Sequence, residues 1–162
     1  MQEDTTNTDI SVYLNLIKNE LDRLIKSGDT LENKGYILGS ILFYIFFQIA
    51  AKISIISIAS KQGINLFDLI EIGLILSFLI AMYFIVLVIM PSENVYLTKN
   101  INVEEVFQKN TITLEKFSLT TYKSIIETLQ KRNNKKSANL QNSIRVSMVF
   151  FVFFFIIQFF KY

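Results

Sequence analysis

Two long apolar stretches lie close together near the middle of the chain. They run from Gly35 to Ser60 and from Leu66 to Met90, and only residues 61–65 separate them. The hydrocarbon core of a bilayer is about 30 Å thick, and a helix needs roughly 20 apolar residues to cross it. Because both stretches reach that length and their connection is short, the pattern predicts an antiparallel hairpin of two transmembrane helices.

A third apolar stretch, Ser143–Phe160, lies near the end of the sequence and is dominated by phenylalanine. It predicts a shorter third transmembrane helix. The fold class expected is therefore an all-α membrane protein with three transmembrane helices and a cytoplasmic pair of amphipathic helices. The segments are an N-terminal amphipathic helix in 1–34, the hairpin in 35–90, a cytoplasmic helical segment in 91–142 and the C-terminal transmembrane helix in 143–162.

The N-terminal segment has the apolar spacing of a helix with one packing seam. Five apolar residues recur at alternating spacings of four and three: Ile10, Leu14, Ile17, Leu21 and Leu24. This is the seam pattern of a coiled coil, and Gly28 is expected to end the helix. A second amphipathic helix is expected over 114–131. The seam packs either on such a helix of the same chain or on another subunit, and the pattern leaves both readings open.

Small residues recur every four positions in both helices of the predicted hairpin. Gly35 and Gly39 form one such pair, and Gly73, Ser77 and Ala81 form a longer row. Small residues at this spacing let two helices approach closely in lipid. We expect both sets to be helix-packing surfaces, with the second row lying against the first helix.

Four polar residues interrupt the apolar hairpin: Gln48, Lys52, Asp68 and Glu71. Counted from the turn, Lys52 and Glu71 differ in depth by only about 4–5 Å at 1.5 Å per residue. A charge inside a membrane costs several kcal/mol unless it is paired or hydrated. Lys52 is therefore expected to pair with Glu71 or Asp68. The four residues form either a structural ion pair near the interface or the polar lining of a pore.

The distribution of basic residues predicts an orientation in the membrane. Residues 91–145 carry nine Lys and Arg and the N-terminal segment carries four, whereas the hairpin turn and the C-terminus carry one each. The positive-inside rule places the N-terminus and residues 91–145 in the cytoplasm and the C-terminus outside. The basic cluster at 131–136 has no interleaved aromatic residue. It therefore predicts a solvated or headgroup-facing surface and no binding of nucleic acid.

The composition argues against an enzyme. The 162 residues include no cysteine and no histidine, which excludes a cysteine nucleophile and removes the commonest general base and the commonest metal ligand. Glycine-rich phosphate loops and paired metal-binding motifs are also absent. No catalytic residue, metal site or cofactor is expected.

Two stretches resemble small bacterial membrane effectors. One is Leu21-Asp22-Arg23-Leu24 followed by Leu31–Gly39, and the other runs from Tyr122-Lys123-Ser124-Ile125-Ile126 through Arg132–Lys136 to Leu140–Ile144. They are similar to the Pycsar-type transmembrane effector domain and to the SLATT effector families. The resemblance implies antiphage defence by homo-oligomers that perturb the bacterial inner membrane. It also implies a nucleotide signal or a partner protein as trigger, and the chain lacks the separate sensor domain of some members.

Two functions of different classes follow. In the first, the chain is a membrane effector that forms a pore or otherwise disrupts the membrane, with the four polar hairpin residues as lining candidates. In the second, it is a membrane scaffold that anchors a cytoplasmic partner through its amphipathic helices. A holin-like lysis protein is a third, weaker reading, because two soluble helices exceed what a minimal holin needs.

Overall fold

The computed structural model describes residues 3–50, 65–90 and 111–160, with side chains for 12, 13, 15–50, 65–90 and 119–160. The described residues form three helices: α1, Glu3–Ala50; α2, Leu66–Ile89; and α3, Thr111–Phe160. The predicted all-α fold is confirmed for this part of the chain. Several predicted features lie wholly or partly outside the described residues. They are Lys52, the last ten residues of the first apolar stretch, most of the hairpin turn, residues 91–110 of the cytoplasmic segment, and the side chains of Ile10 and Leu14.

Helices α1 and α3 are longer than the sequence pattern predicts. Gly28 lies inside α1, which is 48 residues long and continues to Ala50. The prediction that Gly28 ends the helix is therefore wrong. The reason is its packing: a Cβ on Gly28 would lie 3.0 Å from Oδ1 of Asn133 on α3. The glycine thus allows a close approach of the two helices. Helix α3 likewise joins the two helices predicted over 114–131 and 143–160, since residues 132–142 contain neither proline nor glycine.

The chain divides into two compact units. The first contains Met1–Asp29 and Pro91–Asn134, and the second contains Thr30–Met90 and Lys135–Tyr162. Helices α1 and α3 each contribute residues to both units. Two of its boundaries fall within helices, after Asp29 in α1 and after Asn134 in α3. The four consecutive segments that the sequence suggests stay a prediction.

The first unit has a small apolar core between α1 and α3. Leu24 packs with Ile125 and Leu129, and Leu21 and Ile126 border them. Leu24 and Leu21 of the predicted seam therefore contact a helix of the same chain, as the intramolecular reading expects. Ile17 is half-buried.

Two hydrogen-bonded contacts accompany this core. The amide nitrogen of Asn133 donates a 2.7 Å hydrogen bond to the backbone carbonyl of Leu24. On the surface, Arg23 donates to both carboxylate oxygens of Glu20, at 2.7 and 2.6 Å. Hydrogen bonding to Arg23 and its positive charge lower the pKa of Glu20, and hydrogen bonding to Glu20 and its negative charge raise the pKa of Arg23. Because both side chains are exposed, the pair contributes little to stability.

The second unit has a core to which all three helices contribute. Its buried apolar residues are Leu42 and Ile49 of α1, Leu74, Phe78, Ala81 and Ile85 of α2, and Phe150 and Ile157 of α3. Phe78 lies at the centre, because its ring stacks on Phe46 with centroids 3.9 Å apart and approaches Phe150 at 6.1 Å.

Two of the helices are long and apolar enough to cross a membrane. They are α2, Leu66–Ile89, and the part of α3 from Leu119 to Phe160. Only about a third of the most apolar stretch of α2 is buried within the chain, and Leu76, Leu79 and Val86 are each more than half exposed. A core helix of a water-soluble protein would bury most of these side chains. The coarse prediction of membrane-spanning helices thus agrees with the described structure.

Candidate functional site

Asp68 is a helix-capping residue. It lies in the first turn of α2 and is only 3% exposed. Its carboxylate accepts a 2.9 Å hydrogen bond from the backbone N–H of Asn65, the residue that precedes the helix. A carboxylate at this position satisfies a backbone donor and interacts favourably with the positive end of the helix dipole. The polar character of Asp68 therefore has a structural explanation in the start of α2.

Glu71 follows one turn further along α2 and is 1% exposed. Its carboxylate lies inside the second unit and not on its outer surface. The predicted pairing of Glu71 with Lys52 stays a prediction, because Lys52 lies outside the described residues. In this conformation neither acidic residue faces outward from the chain.

Three serines add buried polar groups to the same apolar unit. Ser143 of α3 donates a 3.1 Å hydrogen bond to the backbone carbonyl of Ala81, and so joins α3 to α2. Ser147 donates to the carbonyl of Ser143 at 2.7 Å, and Ser77 donates to that of Leu74 at 2.9 Å. Each hydroxyl proton is thus satisfied by a carbonyl, as apolar surroundings require. The sequence reasoning missed Ser143 and Ser147, although their spacing of four matches that of the row on α2.

The glycines pack as the small-residue spacing predicts, but not always on the expected helix. A Cβ on Gly35 would lie 3.2 Å from Cγ1 of Val88, and one on Gly39 would lie 3.3 Å from Cγ2 of Ile85, both on α2. A Cβ on Gly73 would lie 2.8 Å from Cε2 of Phe153 on α3. The expectation that the second row lies against the first helix is therefore wrong for Gly73, which contacts α3.

Substitution of Gly73 should open the contact between α2 and α3. We expect Gly73→Val to destabilise the protein by about 2 kcal/mol, because a branched side chain would overlap the ring of Phe153. Thermal unfolding in detergent, followed by circular dichroism, measures the change. Leu76→Val, at an exposed position of the same helix, is the control, and an equal loss for both variants would contradict the predicted contact.

An ion pair between a buried lysine and a half-buried glutamate joins α1 to α3 within the second unit. Lys136 is 4% exposed, and its ammonium group contacts the carboxylate of Glu32. The expectation that the basic cluster is a solvated surface is therefore wrong for Lys136, whereas Lys131 and Lys135 are exposed. No sequence signal distinguishes Lys136 from its neighbours. In the structure, Asn133, three residues earlier, is also buried. Both side chains lie on the face that α3 turns toward α1.

Gln48 lies on the outside, in a groove between α1 and α2. The groove has a volume of about 660 Å³. It is lined by Tyr36, Gly39, Ser40, Phe43, Tyr44, Phe47 and Gln48 of α1 and by Met82, Ile85, Val86 and Ile89 of α2. Gln48 is the predicted lining residue that the structure exposes, while Asp68 and Glu71 are buried. The described structure thus separates the predicted polar set into inward and outward members.

The described residues also contain no group of histidine, cysteine or acidic side chains that could hold a metal ion. The described part of the chain is all-helical, and two of its helices are long and apolar enough to cross a membrane. No protein-family model, curated protein or solved structure matches the chain.

Proposed function

We propose that the chain is a membrane effector of bacterial antiphage defence. It acts as a homo-oligomer in the inner membrane and perturbs membrane integrity or potential when a partner protein or a nucleotide signal triggers it. In this proposal the first apolar stretch is a third transmembrane helix, the N-terminus is cytoplasmic and the C-terminus lies outside. The sequence resemblance and the charge distribution support the assignment.

The observation that carries the proposal is the outward position of Gln48. The amide lies in a groove of apolar and aromatic side chains, in the unit that contains the larger of the two apolar cores. A polar side chain on the lipid side of a membrane helix is costly unless it meets water or another polar group. An oligomer that encloses water or a polar contact at this groove would satisfy it. Helices α1 and α3 each run without a break from the first unit into the second, and so connect the polar and the apolar parts of the chain.

The decisive test is the membrane potential of cells that produce the protein. Induced expression combined with phage challenge should collapse the potential, read with a voltage-sensitive dye. Gln48→Leu should reduce the collapse by roughly tenfold at equal protein in the membrane, because the outward polar group is removed. The control is Gln158→Leu, which makes the same change at an exposed position near the end of α3 and should leave the collapse intact.

A normal potential in cells that carry the triggered wild-type protein would reject the proposal. If Gln48→Leu and Gln158→Leu change the collapse of the potential equally, the lining role of Gln48 is rejected.

One observation favours the scaffold alternative. Asp68 and Glu71 are buried within the chain, and Asp68 caps α2. Neither carboxylate is therefore on the surface where it could line a pore between copies. A scaffold would be purified from detergent with a defined cytoplasmic partner and would not conduct ions in liposomes. Conductance in liposomes made from the purified protein favours the effector and excludes the scaffold as the whole function.

A further inference from the structure

The polar residues on the outer face of α1 form a regular row. Tyr36, Ser40, Tyr44 and Gln48 recur every four residues, all four are exposed, and all four line the groove between α1 and α2. In the sequence the same spacing continues to Lys52. We call Tyr36, Ser40, Tyr44 and Gln48 the polar row of α1. Its neighbours on the exposed side are apolar, Ile37 and Ile41 among them.

Within this row the hydroxyl of Ser40 is satisfied inside the helix, since it donates a 2.8 Å hydrogen bond to the carbonyl of Tyr36. The tyrosine hydroxyls and the Gln48 amide are the groups that reach outward, and Tyr36 and Tyr44 are 54% and 66% exposed. Lipid chains offer no hydrogen-bond partner to such groups. A surface that presents them at regular spacing is therefore suited to a polar neighbour.

Depth separates the row from an ordinary interfacial belt. Tyr44 lies ten residues beyond Lys34, which is about 15 Å along a helix and close to half of the hydrocarbon thickness. Tyrosines of an aromatic belt lie at the level of the headgroups. Tyr36 fits that position, whereas Tyr44 and Gln48 lie too deep for it. This step rests on the proposed function, in which α1 crosses the membrane.

We propose that the groove face of α1 is the surface through which copies of this chain associate, with the polar row turned toward the symmetry axis of the oligomer. The occupant of the groove is a second copy because the row is self-complementary. A glutamine amide and a tyrosine hydroxyl each contain a donor and an acceptor, so each bonds its own equivalent in a symmetric contact. The four described members of the row carry no charge, so none of them repels its equivalent on a second copy.

Aromatic side chains supply the bulk that such a contact needs. Phe43 and Phe47 line the groove, their rings stack with centroids 6.3 Å apart, and they are 56% and 69% exposed. They leave a large aromatic surface exposed beside the polar row, which a second helix could cover. Interhelical hydrogen bonds and close packing are the forces that drive helix association in membranes.

Cysteine cross-linking in native membranes tests this surface. The chain contains no cysteine, so each single-cysteine variant reports one position without further changes. Tyr44→Cys and Gln48→Cys probe the polar row, and Ile37→Cys and Ile41→Cys probe a parallel exposed row that does not line the groove. Cells that produce each variant are treated with a short bismaleimide, and covalent dimers are quantified after electrophoresis.

We expect roughly tenfold more dimer from the two row positions than from the two isoleucine positions, because thiols must lie close together to be bridged. Equal yields, or higher yields at Ile37 and Ile41, would overturn the inference. The inference would also be overturned if the row variants are present in the membrane fraction but form no cross-link, or cross-link only to a different protein. Two positions in each row keep the test valid if one variant fails to accumulate.

The readout is independent of the proposed function. Dimers without loss of membrane potential would leave the association surface standing and reject the effector. Loss of membrane potential without dimers at Tyr44 or Gln48 would support the effector and reject this surface.

Discussion

Glu32→Gln should lower the free energy of unfolding by about 3 kcal/mol, because it leaves the ammonium group of Lys136 buried without its opposite charge. Lys136 is 4% exposed and contacts Glu32 in the second unit. Removing one member of a buried pair costs more than removing both, since the remaining charge is still desolvated. Equilibrium unfolding in mixed micelles, titrated with a denaturing detergent, measures the loss.

The double variant Glu32→Gln/Lys136→Met provides the control for this pair. Methionine keeps most of the apolar stem of the lysine and removes its charge, so the double variant should recover much of the lost stability. Arg23→Gln, which breaks the exposed pair with Glu20, should change stability far less. A Glu32→Gln protein as stable as the wild type would mean that the buried charge is compensated elsewhere.

Phe150→Ala should lower the free energy of unfolding by about 2 kcal/mol, through the cavity that it opens at the centre of the second unit. Phe150 has no exposed surface and packs against Phe78 and Phe151. The effect is smaller than the loss of about 3–5 kcal/mol usual in water-soluble cores. The reason is that an unfolded helix in lipid keeps its side chains in apolar surroundings, so only packing is lost.

The matched substitution is Phe159→Ala on the same helix, because Phe159 is 75% exposed. The same denaturing-detergent titration should find a change near zero for this variant. Similar losses at the two positions would argue that Phe150 is not at the centre of a packed core in the membrane.

The fold was predictable from the sequence where the signal was a long apolar stretch or a regular spacing of residues along the chain. The apolar stretch from Leu66 to Met90 predicted α2 nearly to its ends. The spacing of Leu21 and Leu24 predicted a buried seam, and these two residues pack on α3. Gly35 and Gly39 predicted a close helix contact, which Val88 and Ile85 provide.

The candidate site was less predictable, because the same residue type serves different roles according to its neighbours. Asp68 and Gln48 looked alike as polar residues in apolar helices. The structure buries Asp68 at a helix cap and exposes Gln48 in the groove. Lys136 was one of four basic residues in a short cluster, and only its position opposite Glu32 distinguishes it.

The sequence by itself determined the helical class and the apolar segments of this protein, since hydrophobicity and its period are local properties that a chain carries before it folds. Only the tertiary structure decided that Gly28 lies within a helix, that Gly73 meets α3, and that the polar row from Tyr36 to Gln48 faces outward. The physical reason is that burial and pairing depend on which helix lies opposite each face. That choice is made by packing between distant segments and leaves no mark in the local pattern.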